Sequence, residues 1–168
     1  MTDDATSLLR ILRAARTIAV VGLSAEWHRP SYFAAAYMQG KGYRILPVNP
    51  RSAGETLLGE TVHPDLASLP LVPDMVSIFR RSEEAGAVAD EAVRLGIKVI
   101  WMQLGVRDDA AARRAEAAGA TVVMDRCPKI EYGRLFGELG WLGVNRGLVS
   151  AKRGQAMQLR KRKGGLSS

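Results

Sequence analysis

Thr17-Ile18-Ala19-Val20-Val21-Gly22-Leu23-Ser24 is the stretch that decides the fold. Ile18 to Val21 form a continuous apolar run that stops at a glycine, the pattern of a strand buried on both faces in a parallel sheet. Upstream, Leu8, Leu9, Ile11 and Leu12 fall at helical spacing within Thr6 to Ala15 and predict an amphipathic lead-in helix. Downstream, Pro30 opens a helix from Ser31 to Gln39, and Gly40 and Gly42 close it.

Strand and helix then alternate along the chain. Strands are predicted at Tyr43 to Val48, Asp74 to Phe79, Ile97 to Met102 and Ala120 to Met124. Helices are predicted at Glu83 to Leu95, Asp108 to Ala118 and Ile130 to Leu139. That order gives an α/β, Rossmann-like, doubly wound parallel sheet of five strands with helices on both faces. The stretch between the second and third strands, with Gly54, Gly59, Pro64, Pro70 and Pro73, is the least regular, and a short helix is expected there.

At 168 residues, the chain has the usual size of one domain. No apolar run approaches the ~20 residues that span a bilayer. The start, with Thr2, Asp3 and Asp4, lacks the basic and apolar regions of a secretory signal, and the single Cys127 forms no internal disulfide. Both features fit a cytoplasmic protein. The net charge of +7 resides in the tail, because residues 144–168 hold seven Lys and Arg and no acid. The expected division is therefore a domain over residues 1–142 and a basic tail over residues 143–168. Such a tail attracts phosphate backbones or acidic surfaces, but it holds no aromatic residue on which bases stack, so a solubilising or tethering role is the plainer reading.

Ligands of open parallel sheets bind outside the carboxyl ends of the strands. After the first strand, Gly22, Leu23 and Ser24 lead through Arg29 and Pro30 to Ser31 at a helix opening, a cradle for phosphate. The dinucleotide signature G-x-G-x-x-G is incomplete, with Ser24 and Trp27 at its second and third glycine positions. After the second strand stand Val48, Asn49, Pro50 and Arg51, where an NAD-binding domain places a carboxylate for the ribose. An arginine there suits an additional ribose phosphate, which NADP and coenzyme A both carry. At the third strand end Phe79, Arg80 and Arg81 bring one aromatic and two cations to the same edge, suited to packing against a purine and neutralising phosphate. Gln103, after the fourth, offers one amide among apolar residues, suited to a neutral ligand arm.

Together these strand ends resemble the CoA-binding domain family, the module found also as the N-terminal domain of succinyl-CoA synthetase alpha subunits, and in particular its small stand-alone bacterial members. The resemblance rests on Ile18 to Ser24, Arg29 to Tyr32, Gly42 to Pro50, Phe79 to Arg81, Trp101 to Gly105 and Met124 to Glu131, and covers about Thr17 to Leu135. It implies that the Gly22 to Ser31 loop holds the pyrophosphate of coenzyme A. It further implies that the Val48 to Arg51 turn and Phe79-Arg80 hold the adenosine and its 3′-phosphate. The family often has lysine where this chain has Arg51.

His28 and His63 are the only histidines, and with one cysteine no metal-binding spacing exists. No catalytic constellation stands out: Cys127 reads as a small buried thiol, and Asp125, Arg126, Lys129 and Glu131 read as a salt-bridged cap. The expectation is a non-enzymatic module that binds coenzyme A or an acyl-CoA as carrier, sensor or regulator. The alternatives are an NADP-dependent oxidoreductase, which lacks a convincing tyrosine-lysine proton donor, and binding of nucleic acid or a partner through the tail.

Overall fold

The computed structural model describes residues 1–137. Those residues divide into two compact units, residues 1–129 and a second that begins at Ile130. The boundary expected after Leu142, the basic tail and the end of the last predicted helix lie outside the described residues.

The first unit is built on a five-stranded parallel sheet. Its strands are β1 (Thr17–Val21), β2 (Arg44–Val48), β5 (Met75–Ile78), β6 (Val99–Met102) and β7 (Thr121–Val123). They lie in the order β2-β1-β5-β6-β7. The register runs Val21 beside Val48, Val21 beside Ile78, and Ile78 beside Met102. Every residue of β5 is buried, as is all of β1 after Thr17, which accounts for the continuous apolar runs.

Alternating side chains serve two faces. On one, Ala19, Val21, Val76, Ile78, Ile100 and Met102 pack beneath helices α3 (Ser82–Arg94) and α4 (Asp109–Ala117). Those helices present small residues, Ala85, Gly86 and Ala89 on one and Ala111, Ala112 and Ala115 on the other, so they approach closely. A Cβ at Gly86 would stand only 2.5 Å from an Asp108 carboxylate oxygen. On the opposite face, Ile18, Val20 and Ile45 meet Ala34, Ala35 and Met38 of α2 (Pro30–Gly40). Helices therefore cover both faces, as expected. The lead-in helix α1 (Ala5–Ala14) buries Leu8 and Leu12, and its Leu12 carbonyl accepts the Tyr43 hydroxyl.

One expectation is corrected. The irregular stretch after β2 contains no helix but a small hairpin of β3 (Thr56–Leu57) and β4 (Glu60–Thr61). Its two-residue turn places Leu58 at φ 51° and Gly59 at φ 77°, the pairing of positive angles that matches the twist of antiparallel strands. The chain then returns beside β2, where Asn49 N–H donates to the His63 carbonyl at 2.9 Å and His63 N–H to the Pro47 carbonyl at 3.0 Å. Prolines, which donate no backbone hydrogen bond, suit the irregular path from there to β5.

In the second unit, α5 (Pro128–Phe136, which starts in the first) stacks Tyr132 on Phe136 at 4.3 Å between ring centres and pairs Arg134 with Glu131.

Candidate functional site

In the sheet order, the chain winds outward in opposite directions from β1 and β5, so the crevice between their carboxyl ends is where such a sheet accepts a ligand. Gly22, directly after β1, occupies that point at φ 87°. A Cβ there would lie 2.2 Å from the Phe79 carbonyl oxygen, so sterics demand glycine for a second reason besides its backbone angle. Gly22 N–H donates to the Val48 carbonyl and Phe79 N–H to the Val21 carbonyl, both at 2.8 Å. Three strand ends are thereby stitched into one rim.

Asn49 fixes the next piece of the rim. Its side chain is buried, donates from Nδ2 to the Leu23 carbonyl at 3.0 Å, and accepts the Arg51 N–H on Oδ1 at 3.0 Å. The amide ties the β1 loop to the β2 turn and sets the backbone that carries the Arg51 side chain. In the loop itself, Ser31 Oγ accepts the Ser24 N–H at 3.0 Å and Ser24 Oγ accepts the Glu26 N–H at 3.1 Å. Both hydroxyls serve as braces that shape the loop.

Helix ends supply the electrostatics. α1 and α4 are capped by the side chains of Asp4 and Asp108, whereas α2 and α3, whose N-caps are Arg29 and Arg81, have no side-chain cap. These two uncapped openings are the ones that face the crevice. An uncapped opening leaves backbone N–H donors and the positive end of the helix dipole to an anion.

The rim encloses an open cleft of about 890 Å³. Gly22, Ser24, Arg29, Pro30, Ser31, Asn49, Arg51, Phe79, Arg80 and Gln103 all line it, so ten of the thirteen residues singled out in the sequence are brought together. Leu23 and Val48 are fully buried and contribute only the carbonyls described above, while Pro50 is exposed outside the lining. The cleft also takes Arg81 and Leu104, which stand in the strand ends already read from the sequence, and Glu26, Glu84 and Val106, which were not selected there. Glu26 and Glu84 are recognisable only from their pairing.

That pairing sorts the four arginines of the cleft. Arg29 Nε donates to Glu26 at 2.8 Å and Arg81 stands 3.6 Å from Glu84. In each case the neighbouring guanidinium lowers the carboxyl from its ordinary value. Among the described residues no acid forms an ion pair with Arg51 or Arg80, though the Glu84 carboxylate, paired with Arg81, also feels the Arg80 charge. His28 lies 3.4 Å from the Glu26 carboxylate, and Cys127 is buried after β7. No group of three or more His, Cys, Asp or Glu among the described residues is placed to hold a metal, and no helix there is long and apolar enough to cross a membrane.

Comparison with known proteins agrees with this architecture. YneT of Bacillus subtilis (strain 168) is 37% identical over 122 residues, which span 73% of this chain and 89% of YneT. The structure of cell-free ID.343 from Thermus thermophilus superposes with a TM-score of 0.77 at 35% identity, covering 80% of this chain and all of that one. A hypothetical protein from Pyrococcus horikoshii OT3 gives a TM-score of 0.76 at 29% identity, covering 80% of this chain and 94% of its own. Residues 16–133 match the family model for the CoA binding domain. With the crevice at the β1–β5 junction, a glycine that only glycine can occupy and a match across the whole parallel sheet, this chain belongs to the CoA binding domain family.

Proposed function

We propose that the chain binds coenzyme A or an acyl-CoA in the cleft at the β1–β5 junction and acts as a non-catalytic carrier, sensor or regulatory module. The observation that supports this reading is the pair of cleft guanidinium groups, Arg51 and Arg80, that form no ion pair among the described residues, beside an uncapped helix opening in a member of this family. The pyrophosphate rests on the Gly22 to Ser31 loop, where backbone donors of α2 face it. Arg51 and Arg80 take the ribose 3′-phosphate, with Phe79 against the adenine. The pantetheine arm extends past Gln103, Leu104 and Val106, whose mixed apolar and amide character suits a neutral chain.

The same rim has the charge to receive the 2′-phosphate of NADP, so the two ligands are the decisive comparison. Calorimetric titration of the full chain with each is expected to give measurable binding of coenzyme A and weaker or absent binding of NADP. Tight NADP binding with no coenzyme A binding would overturn the proposal.

A further inference from the structure

The edge of the sheet opposite the cleft holds a second hollow, of about 410 Å³, where α1 passes the entrances of β5 and β6. That volume lies within the range of small-molecule sites. Ile11 and Ala15, one turn apart at the end of α1, line it together with Val72 and Val99 from the sheet side. Val72 is 59% exposed, so the apolar lining stands open to whatever enters. A neighbouring hollow of about 400 Å³ shares Arg10 and Ala14 and reaches Leu9, which gives an apolar tail further room along α1.

The charged residues of the lining are Arg10, Lys98 and Asp74. The acid is already engaged. Its carboxylate accepts the backbone N–H groups of Arg16 at 2.8 Å and Thr17 at 3.1 Å, and its own N–H donates to Thr17 Oγ1 at 2.9 Å. Arg10 and Lys98 are both exposed, and among the described residues neither forms an ion pair, though the Asp4 carboxylate feels the Arg10 charge. Apolar lining with two cations at its margin suits a molecule that has one anionic end and a short apolar tail.

The geometry points to this hollow as a binding site for a monocarboxylate with a short alkyl chain. The carboxylate meets Arg10 and Lys98, and the chain covers Ile11 and Val72. The site lies at the amino ends of the strands whose carboxyl ends form the coenzyme A cleft, and it does not rest on the coenzyme A reading. Its occupant would sit beside Asp74, the residue that ties the entrance of β5 to that of β1.

Calorimetric titration of the full chain with octanoate, and with octanol as its uncharged counterpart, tests the site. Octanoate is expected to bind saturably and more tightly than octanol. Exposed ion pairs contribute little each, so Lys98→Met and Arg10→Met should each weaken octanoate about twofold to fivefold without weakening octanol. Val72→Asp, which sets an acid in the apolar lining, should abolish octanoate binding. All three side chains are exposed, an unchanged melting temperature checks that each variant is folded, and Lys98→Gln stands in should the methionine variant prove unstable. Octanoate that does not saturate, that binds both cation variants as tightly as wild type, or that binds no better than octanol would overturn the site. A loss confined to Arg51→Ala would put the anion in the cleft instead and would overturn it equally.

Discussion

Arg51 and Arg80 reach the cleft from the ends of different strands, and among the described residues neither forms an ion pair with a carboxylate. A charge-assisted hydrogen bond to a phosphate contributes ~1.5 to 3 kcal/mol. Arg51→Ala is therefore expected to weaken coenzyme A roughly tenfold to a hundredfold while leaving dephospho-CoA nearly unaffected. Equal losses in titrations of the two would show that Arg51 does not read the 3′-phosphate. The residue types at the site were legible in the sequence because strand ends are legible, so Gly22, Arg51 and Arg80 follow from where the apolar runs stop. Their division of labour was not. That Arg29 and Arg81 are answered by Glu26 and Glu84 depends on side-chain geometry three residues apart on loop and helix, and nothing in composition distinguishes a paired arginine from a lone one.

At the level of elements, the alternation of strand and helix from α1 to the start of α5 emerged within a residue or two of its observed limits, because buried parallel strands and small-residue helix faces both leave periodic marks. The hairpin of β3 and β4 escaped, since two-residue strands carry no period and its turn uses Leu58 where asparagine or aspartate would have signalled it. The start of the sheet holds a different device. The Asp74 carboxylate accepts the backbone N–H groups of Arg16 at 2.8 Å and Thr17 at 3.1 Å, fastening the entrance of β5 to that of β1. Foremost through the Arg16 N–H, these bonds hold its carboxyl below the ordinary value of 3.8. A carboxyl depressed in the folded state binds fewer protons there than when unfolded, so its contribution is present above that ordinary value and is lost as pH falls through the folded one. Asp74→Asn should lower the melting temperature by about 2–4 °C near neutral pH, the size of a ~1 kcal/mol loss after allowing for solvent screening. Melting curves followed into acid should begin to converge with those of wild type below pH 3.8 and meet once the folded carboxyl is itself protonated, and a gap that stays constant as pH falls below 3.8 would contradict this role.

For the whole molecule, the cleft draws on residues from Gly22 to Val106 and exists only when β1, β2, β5 and β6 are side by side. A ligand of that cleft binds the native state and not the open chain, and at a hundredfold excess over its Kd it stabilises by about 2.7 kcal/mol. If the crevice closes after the folding barrier, coenzyme A in stopped-flow experiments should slow unfolding by up to about a hundredfold and leave the refolding rate unchanged. Faster refolding would mean that the crevice is already built at the barrier. The junction of β1 with β5 also has a history in time. Thr17 and Asp74 are 57 positions apart, and the Gln103 side of the rim comes later still. On a ribosome adding ~5–20 residues per second, β1 emerges several seconds before its central neighbour exists. During that interval Ile18 to Val21 have β2 beside them and α2 over the Ile18 and Val20 face, so the nascent chain passes through a window in which the Ala19 and Val21 face is uncovered and its ligand is of no help.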